Sequence, residues 1–284
     1  MRVLLVHDDK VGDPIADVLM KFPIKEVESV ALSDFLKRCG VEMSTTDCTA
    51  TVGDLDGIYD RVIDRVVEVS PRTLEAFGGK GAGLQRGQVL AIYEQLLART
   101  DPPDMGRQYS TLGKLLPLPT QWYLVNKSFP ALRTPEFRYA YGPEIIDGQD
   151  MSSPIFKSPF DLYTWKPNER PDKQAWDDFI VSRPSGIPVL SYKLNDEVII
   201  ESLQPVSTLI PHTSLLRSAT VEILQLFSAR VGEILWYVTE SDVTFAAFSH
   251  FLAGAAMSTE FSAQARVYLD SFLSEPIAQE VELA

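Results

Sequence analysis

Arg2-Val3-Leu4-Leu5-Val6 is a short, nearly unbroken apolar run, and its reading decides the fold. Runs of this length suit a strand buried on both faces of a parallel sheet. A loop follows over residues 7–12. Asp13 then precedes Pro14, an N-cap with proline at the first helical position. Ile15, Val18, Leu19 and Phe22 recur at helical spacing. Residues 27–30 read as a second strand. Ser33 caps a helix over 34–39 that Gly40 ends, and 41–43 resume as strand. Alternation of this kind calls for a parallel sheet with right-handed crossovers. Residues 1–77 are therefore expected to form a Rossmann-like half-domain, with 2–6 as a central strand.

Outward from there the pattern loosens. Residues 55–66 read as a strand running into a loop. The glycine-dense segment 78–83 reads as a flexible connection. Val89, Ile92, Tyr93, Leu96 and Leu97 mark an amphipathic helix that stops before Asp101-Pro102-Pro103. Gln121-Trp122-Tyr123-Leu124-Val125 reads as a strand ending at Asn126-Lys127. Residues 126–185 are rich in proline and aromatics and are expected to be irregular. Two β-hairpins follow, over 189–200 and 233–248, with a long helix over 213–231 between them. Ser258 can cap a final helix through Phe261, Val267, Leu269, Phe272 and Leu273. The domain division is thus 1–77, a connecting segment 78–125, and an α+β region 126–284. Aromatics in the middle of the chain, Trp122, Tyr123, Phe129, Phe137, Tyr139 and Tyr141, suggest an interface.

Composition bounds the function. The chain has 284 residues, 45% hydrophobic and 23% charged, which suits one large or two small domains with a real core. A net charge of -13 repels phosphate backbones and anionic lipid, which argues against nucleic-acid and membrane roles. Cys39 and Cys48 have no metal-site spacing and read as reduced thiols. No apolar run is long enough to cross a bilayer. The first residues are too short an apolar run for a signal peptide, so the protein is expected in the cytoplasm.

Several chemistries lack their residues. Lys80 sits too early for a P-loop, and no Ser or Thr follows it. The first strand leads to His7-Asp8-Asp9, not to a dinucleotide fingerprint. His7, His212 and His250 are scattered, and no G-x-S-x-G elbow is present. Asp8 and Asp9 read as a solvated loop. Two cations stand out. Arg61 follows Gly57-Ile58-Tyr59 near a strand's carboxyl end. Lys157 ends the apolar Pro154-Ile155-Phe156 and is placed to pair with an anion such as phosphate.

In chain order these pieces resemble the ATP-grasp superfamily, in the branch of ribosomal-protein glutamate ligases and peptide-modifying ligases. The residues concerned are Ile58-Tyr59-Asp60-Arg61-Val62, the helix at 89–98 with Leu124-Val125-Asn126-Lys127, and Ile155-Phe156-Lys157. The antiparallel strands near 179–200, the helix at 213–231 and the hairpin at 233–248 complete the match. The resemblance implies a reduced ATP-grasp-like α+β domain after the Rossmann-like half-domain. It also implies that Lys157, Arg61 and Lys127 face a nucleotide.

Working members hold Mg²⁺ with an acid on the hairpin's first strand and a Glu-x-Asn pair on the second. Hard cations and phosphoryl transfer need such oxygen ligands. Glu233 matches the first acid, but Phe245-Ala246-Ala247-Phe248-Ser249-His250 offers no second one. The chain between Lys157 and Phe179 is also short for the usual glycine-bearing lid. The expected role is a catalytically degenerate binding or regulatory partner in a peptide- or natural-product-modifying ligase system, with no resident cofactor. Its partner would be an intact ligase or a second copy of the chain, and its ligand a peptide or small molecule. The alternative is an active carboxylate–amine ligase using ATP and Mg²⁺, with Glu233, Glu240 and Asp242 as rearranged metal ligands.

Overall fold

The computed structural model describes residues 2–7, 14–22, 26–38, 41–43, 50–52, 59, 61–66, 73, 116–138, 151–157, 161–165, 179–205, 210–227, 229 and 231–274. The expectations for the glycine segment at 78–83 and the helix at 89–98 fall outside these residues. So do those for Asp8, Asp9, Cys39, Cys48, Tyr139 and Tyr141. The chain forms two compact units, Met1–Lys114 with Thr259–Ala284, and Leu115–Ser258.

In the first unit β1 (Arg2–His7) lies between β2 (Glu26–Ala31) and β5 (Arg61–Arg65), parallel to both. Val3, Leu4, Leu5 and Val6 are buried. That is why the run needs no polar alternation and why it takes the central place. The first crossover helix α1 (Pro14–Leu19) buries Ile15, Val18 and Leu19. α2 (Leu32–Arg38) follows β2, and β3 (Val41–Met43) pairs antiparallel with β4 (Ala50–Val52).

The second unit opens with α3 (Leu118–Ser128), where the sequence pattern suggested a strand. Pro117 precedes the helix, a further proline follows at its first turn, and Leu118, Gln121, Trp122 and Val125 are buried. That spacing is one helical face, and the 3.6-residue period prevails over the local β propensity of Trp-Tyr-Leu-Val. Residues 126–185 are also more regular than expected. They contribute β6 (Phe137–Arg138), β7 (Pro154–Lys157) and β8 (Phe179–Ser182), an antiparallel sheet in the order β6-β8-β7.

Both hairpins form as read. β9 (Ile187–Lys193) pairs with β10 (Val198–Ser202), and β11 (Gly232–Val238) with β12 (Val243–Ser249). They join into one sheet, β10-β9-β11-β12. Gly186 opens β9 at φ 114°, and a Cβ there would lie 2.5 Å from the Val238 carbonyl oxygen, so only glycine fits. The helix between the hairpins, α4 (Thr213–Leu226), is shorter than its expected span. It closes where the Ala229 N–H donates to the Leu224 carbonyl. The last helix, α5 (Phe261–Ser274), belongs to the first unit and packs on α1. The contacts thus divide the chain after 114 and 258, whereas the sequence pattern divides it after 77 and 125.

The core of the second unit centres on Trp122, whose ring meets Phe137 at 5.2 Å, Phe179 at 5.6 Å and Trp165 at 6.1 Å. Trp122 is therefore core and not interface, while its neighbour Tyr123 is exposed. α3 also closes the free edge of β12. The Gln121 side chain accepts from the Phe248 N–H at 2.8 Å and donates to the Phe248 carbonyl at 3.2 Å. The Trp122 indole donates to the Ala246 carbonyl at 2.8 Å. An edge strand with its polar groups so engaged cannot recruit another chain.

Candidate functional site

Glu233 sits near the start of β11, fully inside the protein, opposite Tyr192 of β9 and Ser249 of β12. Its carboxyl is saturated. The Gly254 N–H donates to Oε1 at 3.1 Å, the Ala255 N–H to Oε2 at 2.7 Å, and the Tyr163 hydroxyl to Oε1. Ser249 in turn hydrogen-bonds the Tyr163 phenol. The turn after β12 makes this nest. Leu252 adopts φ 60°, and Gly254 packs so closely that an added Cβ would lie 3.2 Å from Glu233 Oε2. Burial pushes the Glu233 carboxyl above its ordinary range, and the Tyr163 hydroxyl with the Ala255, Gly254 and Ala253 N–H groups pulls the other way without cancelling it. Burial, then the nearby Glu233, raises the Tyr163 phenol well above its usual value.

Lys157 ends β7 and is also buried. Its ammonium donates to the Thr164 carbonyl at 2.6 Å, lies 3.9 Å from Asp161 and sits 4.4 Å above the Trp165 ring. Burial pulls it down to about 8, with Asp161 opposing. The short strip 161–165 therefore connects the two principal sequence candidates. Tyr163 caps Glu233, and the next residue's carbonyl caps Lys157. Sequence reading missed this strip. Its only signal was the density of aromatics in Leu162-Tyr163-Thr164-Trp165.

Beside the strip lies a groove of about 590 Å³ within the second unit. Cross-strand pairs share a face, so Leu235 and Tyr237 lie on the Glu233 side of β11 and form its floor. Trp165 meets Tyr237 edge-on at 5.9 Å. Leu203, Met257 and Arg183 complete the rim. Burial raises the Tyr237 phenol above its usual value, with the Arg183 charge opposing.

The remaining candidates of the second unit do not join this site. Lys127 is exposed in the last turn of α3 and does not line the groove. Arg61 begins β5 in the other unit, and its side chain lies outside the described residues. Glu240 and Asp242 occupy the turn between β11 and β12, roughly 20 Å along the strand from Glu233. There Asp242 pairs with Arg133 at 3.0 Å, and the Glu240 carbonyl contacts the His212 ring. They cannot share a metal with Glu233.

No family model matches the chain, and no curated protein matches its sequence. Solved structures do match its fold. The macrocyclase MdnC from Microcystis aeruginosa MRC, bound with precursor peptide MdnA, superposes with a TM-score of 0.62 at 11% identity, covering 95% of this chain and 100% of that one. The ATP-grasp ligase PsnB, complexed with a phosphomimetic variant of its minimal precursor, Mg and ADP, gives 0.62 at 13% identity, covering 94% and 96%. A RimK domain ATP-grasp protein from Sphaerobacter thermophilus DSM 20745 gives 0.57 at 14%, covering 95% and 99%. The chain has the fold of the ATP-grasp superfamily, with peptide-modifying ligases among the proteins that share it.

The described residues around Glu233 do not fit a Mg²⁺–nucleotide centre. On the face of Glu233, β12 presents Ala247 and Ser249, and neither is a carboxylate. Among the described residues, no three His, Cys, Asp or Glu side chains converge as a metal site. Both oxygens of Glu233 are already engaged.

Proposed function

We propose that this chain is a catalytically degenerate ATP-grasp-like protein of a peptide- or natural-product-modifying ligase system. It works in the cytoplasm as a binding or regulatory partner of an intact ligase. The observation that carries this reading is the saturation of Glu233 by Tyr163 and two main-chain N–H groups, opposite Ala247 and Ser249. Mg²⁺ takes near-octahedral oxygen ligands and neutralises charge on transferring phosphate, so one committed carboxyl cannot serve. Support for the ligase system is the fold shared with MdnC and PsnB, both solved with precursor peptides.

The test is an ADP-release assay on the full chain with ATP, Mg²⁺ and candidate amines and acids, alone and with a ligase that co-purifies with it. The account expects no ADP from the chain alone and a change in the ligase's rate or peptide affinity when the chain is added. Steady ADP release by the purified chain would favour an active ligase.

A further inference from the structure

We infer that the groove beside Tyr163 is a metal-independent peptide site, which takes an apolar side chain lying next to a single carboxylate. This inference rests on the degenerate reading above and specifies the ligand. The inner end of the groove offers no free charge. Tyr163 closes over Glu233, and the Thr164 carbonyl and the Trp165 ring hold the Lys157 ammonium. Among the described residues, a triphosphate would find neither a carboxylate set for a metal nor an uncommitted buried cation there.

What stays open is apolar. Trp165 stands over the floor of Tyr237 and Leu235, and Tyr163, Leu203 and Met257 stand 39%, 37% and 75% exposed around them. Exposed large apolar side chains that gather at one concavity mark a binding surface. Among the described residues that line it, Arg183 is the one that is charged, and it is exposed. A cation at the rim of an apolar slot matches one carboxylate beside one apolar side chain, as at a peptide's free C-terminus. The net charge of -13 disfavours a polyanion. It does not prevent one local ion pair, because salt screens the rest of the molecule beyond about 8 Å.

The experiment titrates the full chain by calorimetry with the peptide acetyl-Gly-Gly-Leu-Phe bearing a free carboxylate. Its C-terminal amide and Mg²⁺–ATP are titrated in parallel. The free acid is expected to bind equally well in EDTA and in Mg²⁺. Amidation, or Arg183→Gln, weakens it at least about fivefold. Met257→Asp and Leu203→Asp each weaken it about tenfold or more, because they put a charge into the apolar slot. All three substitutions lie at exposed positions, and unchanged melting temperatures show that the variants fold.

No binding of the free acid, or equal binding of acid and amide by wild type and Arg183→Gln, overturns the inference. If Mg²⁺–ATP also fails to bind, the degenerate reading survives that loss. Metal-dependent binding of ATP in competition with the peptide defeats the degenerate reading itself.

Discussion

Glu233 is the residue on which the account turns, and its chemistry predicts a pH signature. Burial raises its carboxyl above the ordinary 4.5. Between that value and the raised one, the folded state binds more protons than the unfolded state. Stability therefore falls as pH rises through that window. Glu233→Gln removes this slope. It also turns an amide N–H₂ toward main-chain donors, so it costs about 1–3 kcal/mol at acidic pH, read from urea unfolding.

Lys157 gives the opposite sign. Its folded value, about 8, lies below the ordinary 10.5, so wild-type stability rises from pH 8 to 10.5 as the unfolded state alone keeps its proton. Lys157→Met flattens that rise by at most about 3 kcal/mol in the same unfolding series. Lys157 was legible as a cation ending an apolar strand, and Glu233 through the resemblance of its hairpin. Tyr163 was not. Its role depends on the turn after β12 bringing Gly254 and Ala255 under Glu233, which no local pattern encodes.

At the scale of elements, α3 is the instructive case. A Trp-Tyr-Leu-Val run has the composition of a strand. Its burial follows helical spacing because the helix must seal the edge of β12 with Gln121 and Trp122. The two partners of that contact lie more than a hundred residues apart, so the sequence alone could not supply it. Gln121→Ala is expected to leave the Phe248 N–H and carbonyl unpaired and to cost about 1–3 kcal/mol in thermal or urea unfolding. Trp122→Ala, which also empties the aromatic cluster, should cost about 3–5 kcal/mol. β1 and the two hairpins were legible because their signals are local: an unbroken apolar run, and apolar strands flanking short polar turns.

At the scale of the molecule, the chain has the ATP-grasp fold, and the face of its last hairpin that bears Glu233 carries this one acid, capped from within. The fold as a whole was legible through the order of its short motifs, but α3 and the β6-β8-β7 sheet were not. The return of α5 to the first unit was not, since an amphipathic helix does not announce which core it covers. The most direct test of the central claim is calorimetric titration of the full chain with ATP, with and without Mg²⁺. The account predicts no metal-dependent heat and no difference between the two titrations. Tight ATP binding that requires Mg²⁺ and disappears in Glu233→Gln would contradict it.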